Sequence, residues 1–126
     1  RLWRTRERSP RQPVSRGKDM ISVKYNAEGY RLSVEGHSGY AEPGKDIICS
    51  AASILAYTLA QNLMFAKEDG YIQELQANLE QGNAEISCKP VAGREEEVQC
   101  IFSVVRTGFL LLGTNYPKFI NFSEVG

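Results

Sequence analysis

Cys49 and His37 are the residues in this chain best suited to covalent chemistry at neutral pH, and they stand close together in sequence. A thiolate attacks carbonyl carbon readily and an imidazole takes and returns the proton, so the two could form a nucleophile and its base. Gly36, Gly39, Pro43 and Gly44 mark a turn-rich loop around the histidine, which is the chain's only one. From Ile47 onward apolar residues recur at helical spacing, with Asp46 in the capping position. Cys49 therefore falls in the first turn of a predicted helix. Unpaired amides and the helix dipole there favour thiolate over thiol and lower a cysteine pKa below its usual ~8.5.

Spacing alone does not separate this reading from a bland one. A loop histidine is commonly a solvated surface residue, and a cysteine on an apolar helix is commonly a small core side chain. The neighbours carry similar alternatives. Asp46 either caps the helix by accepting from amides two or three residues on, or orients His37 as a third catalytic member; the cap is favoured. Ser53, one turn beyond Cys49 on the same face, either bonds back to the helix backbone or shapes the site. Ser50 is a weaker nucleophile candidate than Cys49. The Cys49 amide and adjacent helix-start donors are candidates for an oxyanion hole. Gly36, Gly39 and Gly44 suit a substrate loop that closes over an extended peptide, against the alternative of an ordinary flexible connection.

The run Gly36-His37-Ser38-Gly39-Tyr40-Ala41-Glu42-Pro43-Gly44-Lys45-Asp46-Ile47-Ile48-Cys49-Ser50 resembles the signature of the ribosomal-processing cysteine protease family called Prp. In that family a Gly-His pair, a glycine-containing loop and an Asp-Ile-Val-Cys-Ala-like segment lie close together. The likeness continues through two hairpins, two helices and Tyr116-Pro117. Ile48 and Ser50 replace the family's usual valine and alanine. The resemblance implies that Cys49 is the nucleophile and His37 its base. It also implies a homodimeric endopeptidase, and no cofactor is expected. Its substrate would be large ribosomal subunit protein twenty-seven, from which it removes an N-terminal extension after a pair of aromatic residues.

The chain has 126 residues, 42% of them hydrophobic, enough for one compact core. Its formal charge of zero conceals a division. Residues 1–19 hold seven Lys/Arg against two Asp/Glu, whereas residues 20–126 hold eight against thirteen. The first segment lacks apolar periodicity and reads as a basic, unstructured leader upstream of a natural start at Met20; a basic RNA-contacting arm is the alternative. Residues 20–126 read as a single acidic protease domain. An acidic surface suits a basic polypeptide partner and disfavours direct nucleic-acid contact. With no signal peptide or long apolar span expected, a cytoplasmic setting without membrane contact is the default. Cys49, Cys88 and Cys100 lack the paired spacing of a zinc site or a Cys-x-x-Cys redox motif, so no metal is expected.

Alternating Ile21, Val23, Tyr25 and Tyr30, Leu32, Val34 flank a turn at residues 26–29, which predicts a hairpin. A helix over residues 47–66 follows, with Ile48, Ala52, Leu55, Leu59 and Leu63 on one stripe. A second hairpin spans residues 73–89 with its tip at Gly82-Asn83. A second helix starts at Glu95-Glu96-Glu97 and carries Val98, Ile101, Val105, Phe109 and Leu112. Cys88 shares the inward phase of Ile86, and Cys100 reads as a flank or core filler. The order ββαββα predicts a two-layer α+β fold: a four-stranded antiparallel sheet from two hairpins, with both helices on one face. The competing functional reading is a noncatalytic ribosome-assembly or RNA-binding module, which would need a basic, aromatic-lined surface.

Overall fold

The computed structural model describes residues 20–37 and 46–125. The leader expected at residues 1–19 lies outside the described residues. In chain order the elements are β1 Ile21–Asn26, β2 Arg31–Glu35, α1 Ile47–Glu68, β3 Ile72–Glu80, β4 Asn83–Pro90, α2 Glu95–Asn115 and β5 Ile120–Val125. The α+β architecture stands, with one correction: the sheet has five strands, ordered β3-β4-β2-β1-β5.

The fifth strand also makes the sheet mixed, because β5 runs parallel to β1 while the other pairs are antiparallel. Ile21 pairs with Ile120 and Val23 with Phe122, so β5 adds two apolar side chains to the phase that β1 already directs inward. A parallel partner cannot be reached by a tight turn and needs a crossover, which α2 supplies. Arg106 on α2 makes a forked ion pair with Glu124 on β5, one arm at 2.9 Å. The second hairpin turns on Gln81-Gly82, one residue earlier than expected, with Glu80 paired to Asn83. Gly82 has φ +78°, a left-handed conformation that glycine adopts without a side-chain penalty.

Alternation places Val23, Tyr25, Leu32, Val34, Ala84 and Ile86 on the same sheet face and buries them. The two helices cover that face. Ile48, Ala52, Leu59 and Leu63 are buried from α1, and Val98, Phe102, Val105 and Phe109 from α2. Phe102 belongs to the core although the expected α2 stripe omitted it; its ring stacks on Tyr25 at 5.9 Å and meets Tyr30 edge-on at 6.3 Å. The helices touch closely where Leu55 lies over Gly108, at which an added Cβ would fall 2.5 Å from a Leu55 methyl. The expectation of no long apolar span is corrected as well. Both α1 and α2 are long and apolar enough, by length and composition, to cross a membrane. Here their buried stripes pack on the sheet instead.

Candidate active site

Helix α1 begins at a well-formed cap. Asp46 has an extended backbone, and its Oδ1 accepts hydrogen bonds from the amides of Ile48 and Cys49, each at 3.0 Å. Its backbone carbonyl accepts from the Ser50 amide at 3.1 Å. Asp46 is only 4% exposed, so these bonds satisfy a carboxylate largely withdrawn from water. The geometry places the Cys49 side chain on the first turn, half-buried and packed against the core. No acidic residue follows within that turn. Within α1 itself, no side-chain carboxylate of the first turn opposes the positive end of the dipole.

His37 reaches the same region from the sheet. It follows β2 through Gly36, whose φ of +99° carries the chain past β1 so closely that an added Cβ would lie 2.5 Å from the Met20 carbonyl oxygen. The Gly36 amide donates to the Gly82 carbonyl at 2.9 Å, tying the end of β2 to the β3–β4 turn. His37 is exposed, and it lines a shallow, open cleft together with Cys49. The cleft floor runs along α1 through Ala52, Ser53 and Tyr57, and the β3–β4 turn forms another part of its lining.

Ser53 bonds to the side chain of Tyr57, and both line the cleft. Burial pushes the Tyr57 phenol above its ordinary range while the Ser53 bond works the other way, so Tyr57 is a neutral hydrogen-bonding group at pH 7. Tyr57 was missing from the expected site. The spacing Cys49, Ser53, Tyr57, four residues at each step along one helix face, was the signal that would have found it.

Other expectations fare differently. Ile48 and Cys49 direct their amides to Asp46, so the proposed oxyanion donors are already engaged by the cap. Gly39 and Gly44, and with them the expected loop closure, lie outside the described residues. Cys88 is half-buried on β4 opposite Leu75, and burial pushes its thiol up to about 11. Cys100 is exposed and therefore not a core filler. Among the described residues, no group of three or more His, Cys, Asp or Glu side chains could hold a metal ion.

A thiol at a capped helix start and an imidazole lining the same cleft are the groups of a thiol hydrolase. Sequence comparison narrows that class. The family model for cysteine protease Prp matches residues 20–121, and the chain belongs to that family, whose members are cysteine endopeptidases. A ribosomal processing cysteine protease Prp from Mycoplasma pneumoniae is 26% identical over 106 residues, spanning 81% of this chain and 94% of the relative. The fold is similar to that of the essential ribosomal processing protease Prp of S. aureus, solved with a covalently linked product peptide. The TM-score there is 0.63 at 20% identity, covering 86% of this chain and all of the other. A Streptococcus mutans crystal structure is similar too, with TM-score 0.61 and 24% identity over 85% of this chain and 95% of that one.

Proposed function

We propose that the protein cleaves an N-terminal extension from a ribosomal protein, using Cys49 as nucleophile and His37 as general base and acid. The observation that carries this reading is that both side chains line one cleft, with Cys49 on the capped first turn of α1. The Cys49 thiolate attacks the scissile carbonyl carbon and forms a tetrahedral intermediate. Collapse expels the amine, which takes its proton from the His37 imidazolium, and leaves a thioester on Cys49. His37 then removes a proton from water as the water attacks the thioester. The second tetrahedral intermediate collapses with cleavage of its carbon–sulfur bond, the carboxylic acid product leaves, and Cys49 thiolate and His37 imidazolium are restored.

Asp46 supports the site by fixing the Ile48 and Cys49 amides, and Ser53 by holding Tyr57 against the cleft. Large ribosomal subunit protein twenty-seven is the proposed substrate. The relatives named for ribosomal processing support it, as does an acidic chain after residue 19 that complements a basic protein. A cytoplasmic setting follows from that substrate. A homodimer is proposed as well, supported by Ile54, Val104 and Leu111, which stand 61%, 73% and 58% exposed on the two packed helices. The same acidity disfavours the noncatalytic RNA-binding alternative.

The test is to incubate the protein, Cys49→Ala and His37→Ala with the extended ribosomal protein and to locate the cut by mass spectrometry. Cleavage by the parent alone is expected. Equal cleavage by either variant, or none by the folded, reduced parent, would overturn the reading.

A further inference from the structure

We propose that Gly82, at the turn between β3 and β4, is a positioning residue for His37: its missing side chain leaves the space in which the imidazole sits. This rests on the reading of His37 as the catalytic base. A Cβ at Gly82 would lie 2.9 Å from both Cε1 and Nε2 of His37 and 3.7 Å from Nδ1. Those distances are shorter than carbon and nitrogen atoms tolerate without displacement. The ring's Cε1–Nε2 edge is therefore packed against the turn.

The backbone reinforces this contact. The Gly36 amide bonds to the Gly82 carbonyl at 2.9 Å, so the residue before the histidine and the residue beneath its ring are joined directly. Gly36 is itself wedged against the Met20 carbonyl, where an added Cβ would lie 2.5 Å away. His37 is thus located by two backbone approaches, one at Met20 just before β1 and one at the β3–β4 turn. Because a base must lie within hydrogen-bond reach of the proton it moves, a shift of about an ångström in the ring costs on the order of 10²-fold in rate.

Gly70 provides a matched control. It too has a left-handed backbone, φ +86° against +78° at Gly82, but an added Cβ there would meet nothing within 4 Å. Gly70→Ala and Gly82→Ala therefore impose similar backbone strain, and only the second meets the imidazole. Gly82→Asn supplies a further variant, since asparagine accepts positive φ more readily than alanine and still carries a Cβ.

The experiment measures kcat/KM for cleavage of the extended ribosomal protein, and the pH profile of Cys49 alkylation by iodoacetamide. Parent, His37→Ala, Gly70→Ala, Gly82→Ala and Gly82→Asn are compared at temperatures where thermal unfolding shows each folded. Gly82→Ala and Gly82→Asn are expected to lose at least about tenfold in kcat/KM relative to Gly70→Ala, with alkylation profiles displaced toward that of His37→Ala. Profiles and rates for both Gly82 variants that match Gly70→Ala, while His37→Ala is inactive, would overturn the positioning role alone. An active His37→Ala with the parent's alkylation profile would overturn the catalytic reading and the proposal together.

Discussion

The two long helices begin in opposite ways. At α1 a buried aspartate caps the Ile48 and Cys49 amides, and the first turn holds no acidic side chain. At α2 Arg94 makes no side-chain capping bond, and Glu95, Glu96 and Glu97 fill the first turn. Both arrangements satisfy the helix start, the first through hydrogen bonds and the second mainly through charges opposing the dipole. The difference matters because the proposed nucleophile, Cys49, stands at the start of α1. Three carboxylates beside Cys49 would stabilise the helix yet oppose the thiolate, whereas one carboxylate bound to two amides secures the turn with less opposing charge.

The largest expected effect comes from removing the group that the α1 start serves. Cys49→Ala should reduce cleavage by roughly 10⁴-fold or more, to background, as loss of a hydrolase nucleophile does, while thermal unfolding stays close to the parent's. Transplanting one feature of α2 into α1 tests how charge at the helix start acts on Cys49. Ser50 is exposed on the first turn. Ser50→Glu should raise stability by a few tenths of a kcal/mol yet slow Cys49 alkylation near neutral pH several-fold, since a carboxylate stabilises the helix start and opposes the thiolate. Alkylation kinetics and thermal melts on the same samples read both signs.

Removing the cap probes the other half of the contrast. Asp46→Ala should lower stability by ~1 kcal/mol, the usual cost of a lost N-cap, whereas Asp46→Asn keeps an acceptor and should lose less. Denaturant titrations of the three proteins measure it. The smallest effect is expected at α2: Glu95→Gln with Glu96→Gln should cost under about 1 kcal/mol, shrink at high salt and leave cleavage unchanged.

Cys88 supplies an internal reference for reactivity. Its thiol is pushed up to about 11 by burial, so it remains protonated in the folded protein at neutral pH. The raised value also fixes the sign of its contribution to stability. Between the ordinary thiol range and about 11 the unfolded chain releases this proton and the folded chain keeps it, so stability from this group is present below that window and lost as pH rises through it. Denaturant midpoints measured from pH 8 to 11 should fall less in Cys88→Ala than in the parent.

The parts legible in sequence were those set by local pattern. The stripe from Ile48 to Leu63 and the acids at residues 95–97 announce the helices, and alternation at Ile21, Val23 and Tyr25 announces the first strand. Asp46 was readable as a cap because it stands directly before the apolar run. The fifth strand was not, for two reasons. Only Ile120 and Phe122 carry its inward apolar phase, and its partner is β1, almost one hundred residues earlier. At the site, Cys49 and His37 were marked by type and neighbourhood. The approach of Gly82 to His37 joins residues forty-five positions apart and depends on sheet register, which no local pattern encodes.

Catalysis through Cys49 is tested by quenching the reaction with the extended ribosomal protein in acid within the first turnover and mapping any covalent adduct by peptide mass spectrometry. A thioester joining the released extension to Cys49 is expected, absent from His37→Ala under the same conditions. An acyl group on Ser50, Cys88 or Cys100, or cleavage that proceeds with Cys49 blocked by prior alkylation, would contradict it.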